Sequence, residues 1–119
     1  MSNHEKLDYV EFAASDLKKT QAFFEQVFDW QFTYYGSEYI AFSKDSSGLE
    51  GGFYQADLSA KQTEGSALMV FYSEDLKASQ SKIEAAGGEI NVSIFEFPGG
   101  KRFHFIEPSG NEFAVWSDK

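Results

Sequence analysis

The sequence contains no cysteine, which removes disulfide frameworks, thiolate zinc sites, CxxC redox chemistry and cysteine nucleophiles together. Such a composition suits a reducing compartment. No apolar run approaches the roughly 18 residues that a membrane span requires, and the opening stretch Ser2-Asn3-His4-Glu5-Lys6 lacks the apolar segment of a secretory signal. The expectation is a soluble, cytoplasmic protein with no membrane partner. Basic residues are also scarce: 10 Lys and Arg stand against 19 Asp and Glu, a formal net charge of −9, and the only adjacent basic pairs are Lys18-Lys19 and Lys101-Arg102. A phosphate backbone would be repelled by such a surface, so nucleic acid is not expected as a partner.

What the sequence has in abundance is large apolar surface. With 119 residues, 42% of them hydrophobic and including 13 Phe, 6 Tyr and 2 Trp, the chain fits one domain spanning residues 1–119. Burial at roughly 25 cal/mol per Å² makes a core without disulfides or a structural metal plausible.

Comparing the chain with itself exposes a repeat. Asp16-Leu17-Lys18-Lys19-Thr20-Gln21 returns as Asp75-Leu76-Lys77-Ala78-Ser79-Gln80, an offset of 59 residues, and at that offset Phe12 matches Phe71, Phe24 matches Ile83 and Glu25 matches Glu84. A strand-like run precedes each copy, Leu7 to Ala13 and Ala67 to Tyr72, and each Asp sits where a helix N-cap belongs. Leu17, Phe24, Val27 and Phe28 in the first copy, and Leu76, Ile83 and Ala86 in the second, recur near a 3.6-residue period. Gly87-Gly88 stops the second helix, whereas the first ends at Asp29, which takes a left-handed conformation less readily than glycine.

After the first helix come short aromatic runs at 31–35, 39–43 and 52–54, separated by Gly36-Ser37 and Ser46-Ser47-Gly48. After the second come 89–97, 101–106 and 112–116, separated by Pro98-Gly99-Gly100 and Pro108-Ser109-Gly110-Asn111. The reading is an α+β protein of two tandem βαβββ modules, residues 7–54 and 67–116, joined by a polar surface connection over 55–65. A helix on one side of each mixed or antiparallel sheet leaves the other side free, and two such sheets brought together would form a cleft.

This order, and several local strings, resemble the vicinal-oxygen-chelate superfamily of glyoxalases, bleomycin resistance proteins and dioxygenases. Tyr9 to Leu17 followed by Ala22 to Phe32 is similar to the family's first strand, helix and second strand; Ala85-Ala86-Gly87-Gly88 resembles its second helix end; Glu107-Pro108-Ser109-Gly110-Asn111-Glu112-Phe113 resembles the "DP(D/E)GN" turn before its last strand. The nearest branch is that of small proteins related to lactoylglutathione lyase. The resemblance implies a divalent metal held from four strands, but its ligand positions fall here on Tyr9, Leu68, Ala114 and the Glu50-Gly51-Gly52-Phe53-Tyr54 strand. Leu and Ala donate nothing to a cation, and phenolic Tyr must first lose a proton with pKa near 10. No metal and no cofactor is therefore expected, with a substitute set from Glu11, His104 and Glu112 the remaining alternative.

Candidate site residues follow from strand alternation. If Val10 and Phe12 pack under the helix, Tyr9, Glu11 and Ala13 face the cleft, where a desolvated Glu11 could act as a general base. His104 alternates with Phe103 and Phe105 and shares its face with Arg102, whose guanidinium can hold a carboxylate or a phosphate. Tyr54, Tyr72 and Trp116 offer flat amphipathic surface for a planar ligand. The glycine-rich stretches 48–52 and 99–101 lack a phosphate-loop pattern and read as turns. The function expected is binding of a small planar organic molecule by a homodimer joined through an exposed sheet edge. The alternative is a glyoxalase-related lyase or dioxygenase-type enzyme using Glu11 as base, with or without a non-standard metal.

Overall fold

A computed structural model describes residues 3–119. Each half forms a four-stranded mixed sheet. The first holds β1 (Val10–Ala14), β2 (Phe32–Tyr34), β3 (Tyr39–Phe42) and β4 (Gly51–Gln55) in the order β1-β4-β3-β2. The second holds β5 (Met69–Tyr72), β6 (Glu89–Phe97), β7 (Gly100–Ile106) and β8 (Glu112–Ser117) in the equivalent order β5-β8-β7-β6. In each sheet the opening strand pairs in parallel with the closing one and the remaining pairs are antiparallel. The two βαβββ modules anticipated from the repeat are thus observed as a fold.

Helices α1 (Leu17–Phe28) and α3 (Leu76–Ala85) start at the repeated aspartates. Asp16 accepts from the Lys19 N–H at 3.0 Å and Asp75 from the Ala78 N–H at 3.1 Å, satisfying a first-turn donor in each helix. Asp29 closes α1 in the left-handed conformation with φ 58°, the role that Gly87 takes with φ 96° beyond α3. Between β3 and β4 the stretch read as a turn winds one extra helical turn, α2 (Lys44–Ser47). The Ser47 hydroxyl donates to the Ser43 carbonyl at 2.8 Å, a local bond of the kind serine supplies in short turns.

The strand at 7–13 begins later than expected, at Val10, and Leu7 is fully exposed. The connection over 55–65 is less free than its polarity suggested. Its Ala60 N–H donates to Asn111 Oδ1 at 2.8 Å and its Gln62 N–H to Glu112 Oε1 at 2.9 Å, so the segment is pinned along the second module.

The core is aromatic and centred on α1, whose apolar face meets both sheets. Phe24 lies 5.6 Å from Phe53 in the first sheet and 5.4 Å from Phe113 in the second, while Phe28 stacks on Phe71 at 4.1 Å and Phe12 meets Phe113 at 5.1 Å. Phe23, Phe24, Phe53, Phe103, Phe105 and Phe113 are all buried. At about 1.5–3 kcal/mol for each large apolar side chain removed from water, this cluster is the main stabilising element. It also fixes orientation: the inner faces of both sheets turn toward α1, so alternate residues point outward.

Polar groups complete the join between modules. Glu107, almost wholly buried, accepts from the Thr20 hydroxyl (2.7 Å), the Ser109 N–H (3.0 Å), the Asn111 N–H (3.2 Å) and Asn111 Nδ2 (2.8 Å). Asn111 Nδ2 also donates to the Ala13 carbonyl at 2.7 Å. The turn resembling the family motif therefore acts as a clasp that binds the second module to β1 and α1 of the first.

Candidate functional site

An apolar cavity of about 410 Å³ lies between the modules, with a lining that includes Val10, Phe12, Trp30, Phe42, Phe71 and Phe113. From β1 it takes the inward residues, not the helix-free face on which a cleft was expected. Tyr72 is the one candidate residue from the sequence that borders it. It reaches the cavity from the edge strand β5, and it shares the outward faces with the others, because strand alternation sends Glu11 and His104 away from the α1 side.

On the first sheet, Glu11 pairs across β4 with Gly52 and Ala13 with Tyr54. Glu11 is exposed, so the desolvation expected of it is absent. Its Oε2 accepts from the Tyr39 hydroxyl at 2.9 Å, and that hydroxyl lies 2.6 Å from the hydroxyl of Tyr9. Burial first, then the bonds to Tyr9 and Glu11, push the Tyr39 phenol well above its ordinary value. Tyr39 was not singled out from the sequence. The signal lay in Gly52: the Tyr39 ring lies over this glycine, where an added methyl group would overlap the ring and its hydroxyl. Only a glycine there lets the ring cross the sheet and reach Glu11.

The outward face of the second sheet is different in kind. The register places Tyr72 beside Trp116, Trp116 beside Arg102 and Arg102 beside Phe95, one row running across all four strands. Tyr72 and Trp116 meet edge to face at 5.2 Å, and the Arg102 guanidinium lies 5.4 Å from the Phe95 ring centre and 6.0 Å from that of Phe97. Tyr72 also donates to Asp118 at 2.6 Å; that bond pushes its phenol up to about 12 and lowers the Asp118 carboxyl.

The next row brings together Val70, Ala114, His104 and Val92. His104 is 3% exposed and its Nδ1 lies 2.8 Å from Glu112 Oε2, which also accepts from Asn91 Nδ2 at 3.1 Å. Burial alone would raise the Glu112 carboxyl, but the bonds from His104, the Gln62 N–H and Asn91 outweigh it and hold the group below its ordinary value. Two buried side-chain nitrogens on this face have no hydrogen-bond partner among the described residues, Nε2 of His104 and Nε of Arg102. Buried polar atoms are normally satisfied, which sets this pair apart.

Of the positions where the family resemblance implied metal ligands, three lack a free donor, and at the fourth strand Glu50 Oε2 accepts from the Lys44 N–H at 2.6 Å. Ala114 is wholly buried and has no donor atom, Leu68 has none, and the Tyr9 hydroxyl is engaged with Tyr39. The substitute set is not assembled either: Glu11 is on the first sheet and His104 and Glu112 on the second, and among the described residues no three His, Cys, Asp or Glu side chains are grouped to hold a metal ion.

Two tandem βαβββ sheets around a shared helix, with open outward faces, define the class of protein to which the chain belongs. Residues 6–115 match the model of the Glyoxalase/Bleomycin resistance protein/Dioxygenase superfamily, and the chain is a member of that superfamily. No curated protein matches it. Among solved structures, the chain is similar to a glyoxalase-related enzyme from Fulvimarina pelagi, with 15% identity, a TM-score of 0.78 and coverage of 95% of this chain and 88% of the other. It is also similar to the genomically encoded fosfomycin resistance protein FosX from Listeria monocytogenes, with 21% identity, a TM-score of 0.77 and coverage of 97% and 94%. Lactoylglutathione lyase from Agrobacterium tumefaciens shares 16% identity at a TM-score of 0.70, over 95% and 93% of the two chains. At these identities the likeness establishes the shared fold.

Proposed function

We propose that the protein binds a small planar organic anion on the outward face of the second sheet, as a homodimer whose second copy covers that face. The observation that carries this reading is the row Tyr72, Trp116, Arg102 and Phe95. It places the sequence's only arginine among aromatic rings, with no carboxylate paired to it among the described residues, in a chain of net charge −9. A guanidinium framed by rings suits a flat ligand bearing a carboxylate: the rings take the apolar plane and the fork takes the charge.

Both outward faces carry exposed apolar surface, with Tyr9 44%, Val70 45%, Tyr72 49% and Phe95 38% accessible. Surface of this kind favours coverage by a partner. The acidic Glu11 on one face and the cationic Arg102 on the other make a second copy a complementary cover. A partner closing over the exposed Tyr72 and Phe95 would add to the enclosure that ligand sites need.

The reading is tested by titrating the purified protein with benzoate and related aromatic carboxylates, following melting temperature and heat of binding, with sedimentation reporting the oligomer. Binding that raises the melting temperature and weakens at least tenfold in Arg102→Gln supports it. A monomer unaffected by every aromatic carboxylate would refute it.

A further inference from the structure

Resting on the site just proposed, we infer that it recognises a second group on the same ligand: a hydrogen-bond donor, received by Nε2 of His104, which Glu112 holds in the tautomer that leaves that nitrogen as an acceptor. The ligand class is then a planar carboxylate that also bears a hydroxyl or an N–H.

The tautomer follows from the partners of Glu112. The backbone N–H of Gln62 can only donate, and it bonds to Oε1 at 2.9 Å. Asn91 Nδ2 adds a second donor to Oε2 at 3.1 Å. The Glu112 carboxyl is also held below its ordinary range, so at neutral pH it is ionised and can only accept, and the bond of 2.8 Å places the proton on His104 Nδ1. In neutral imidazole Nε2 then carries a lone pair, and that lone pair is buried with nothing donating to it.

Arg102 lies two residues along the same strand and on the same face, and its buried Nε–H has no acceptor. The two vacancies have opposite polarity: one asks for an acceptor and the other for a donor. A plain carboxylate answers only the arginine, whereas a hydroxylated one answers both. The Phe95 ring lies near both groups, 5.4 Å from the Arg102 guanidinium carbon and 6.2 Å from the His104 ring. Phe95 is 38% exposed and follows a shift in the β6 pairing between Val92 and itself. An exposed side chain on an irregular strand can change rotamer quickly, so Phe95 can swing aside to admit a ligand. Glu112 touches no ligand in this arrangement and is a positioning residue.

Calorimetric titration of the full chain with benzoate, the three monohydroxybenzoates and their methoxy counterparts tests this. At least one hydroxybenzoate is expected to bind about tenfold more tightly than benzoate, the effect of one well-made hydrogen bond, and its methoxy counterpart should lose the gain. In His104→Asn, whose amide can still donate to Glu112 in place of Nδ1 but which lacks Nε2, benzoate should bind as in the wild type and the hydroxyl gain should vanish. Glu112→Gln, which no longer fixes the tautomer, should reduce the gain and leave benzoate binding in place. A hydroxyl gain absent in the wild type for all three isomers, or retained in His104→Asn, would overturn the inference while leaving the carboxylate site standing. The wild-type comparison decides the matter alone if the variant does not fold. Failure of benzoate itself to bind would instead remove the site on which the inference rests.

Discussion

The Glu107–Asn111 clasp and the outward face of the second sheet both bury polar side chains, but only the clasp satisfies the groups it buries. Glu107 and Asn111 share a closed set of hydrogen bonds with Thr20, Ser109, Ala13 and Ala60. On the sheet face, His104 is equally buried yet uses one ring nitrogen, and Arg102 leaves Nε unmatched. The comparison separates two uses of the same chemistry. A closed network holds parts of the fold together, and an open one leaves a donor and an acceptor that the proposed ligand would match.

The largest effect expected from breaking this comparison is on the clasp. Asn111→Ala removes the bonds to Ala13, Glu107 and Ala60 and strands buried groups, and should cost about 3 kcal/mol or more in denaturant unfolding. A loss below about 1 kcal/mol would show that the clasp is not closed as described.

Glu112 lies between the two cases, since it completes its own bonds while leaving its partner half used. Its folded pKa is below the ordinary carboxylate value, so its contribution to stability is present at neutral pH and is lost as pH falls through the carboxylate range toward that lowered value. The acid-side decline in melting temperature should therefore be shallower in Glu112→Gln than in the wild type, and identical profiles would count against the His104 and Gln62 bonds.

The repeated caps should show a smaller and matched effect. Asp16→Ala and Asp75→Ala should each cost about 1 kcal/mol, and a clear inequality would separate two modules that their geometry makes equivalent. Smallest of all is Glu11→Gln, expected to shift stability by less than about 0.5 kcal/mol because Glu11 is exposed and bonded only to Tyr39.

The fold was legible because its signals are local and doubled. Asp16 and Asp75 mark two helix starts 59 residues apart, and the glycine and proline turns mark the strands. The site was legible only in part. Alternation put His104 with Arg102, and opposite Phe103 and Phe105, as observed. Val10 and Phe12 pack into the core as supposed, but alternation could not tell that the cavity lies on their side of the sheet, which leaves Glu11 and Tyr9 outside it. His104 and Glu112 came together in the sequence only as alternative metal ligands with Glu11; that the two bond directly is fixed by the pairing of β7 and β8 across the turn. Tyr39 reached Glu11 through the space above Gly52, a contact fixed by register and by the missing side chain.

The most direct measurement is nitrogen-15 NMR of the imidazole rings, made simple by the presence of only two histidines, His4 and His104. For free protein at neutral pH the His104 ring should show a protonated Nδ1 and an unprotonated Nε2, and adding the tightest hydroxybenzoate should shift that Nε2 signal while leaving His4 unmoved. A proton on Nε2 in the free protein, or a His104 signal unchanged at saturating ligand, would contradict the account.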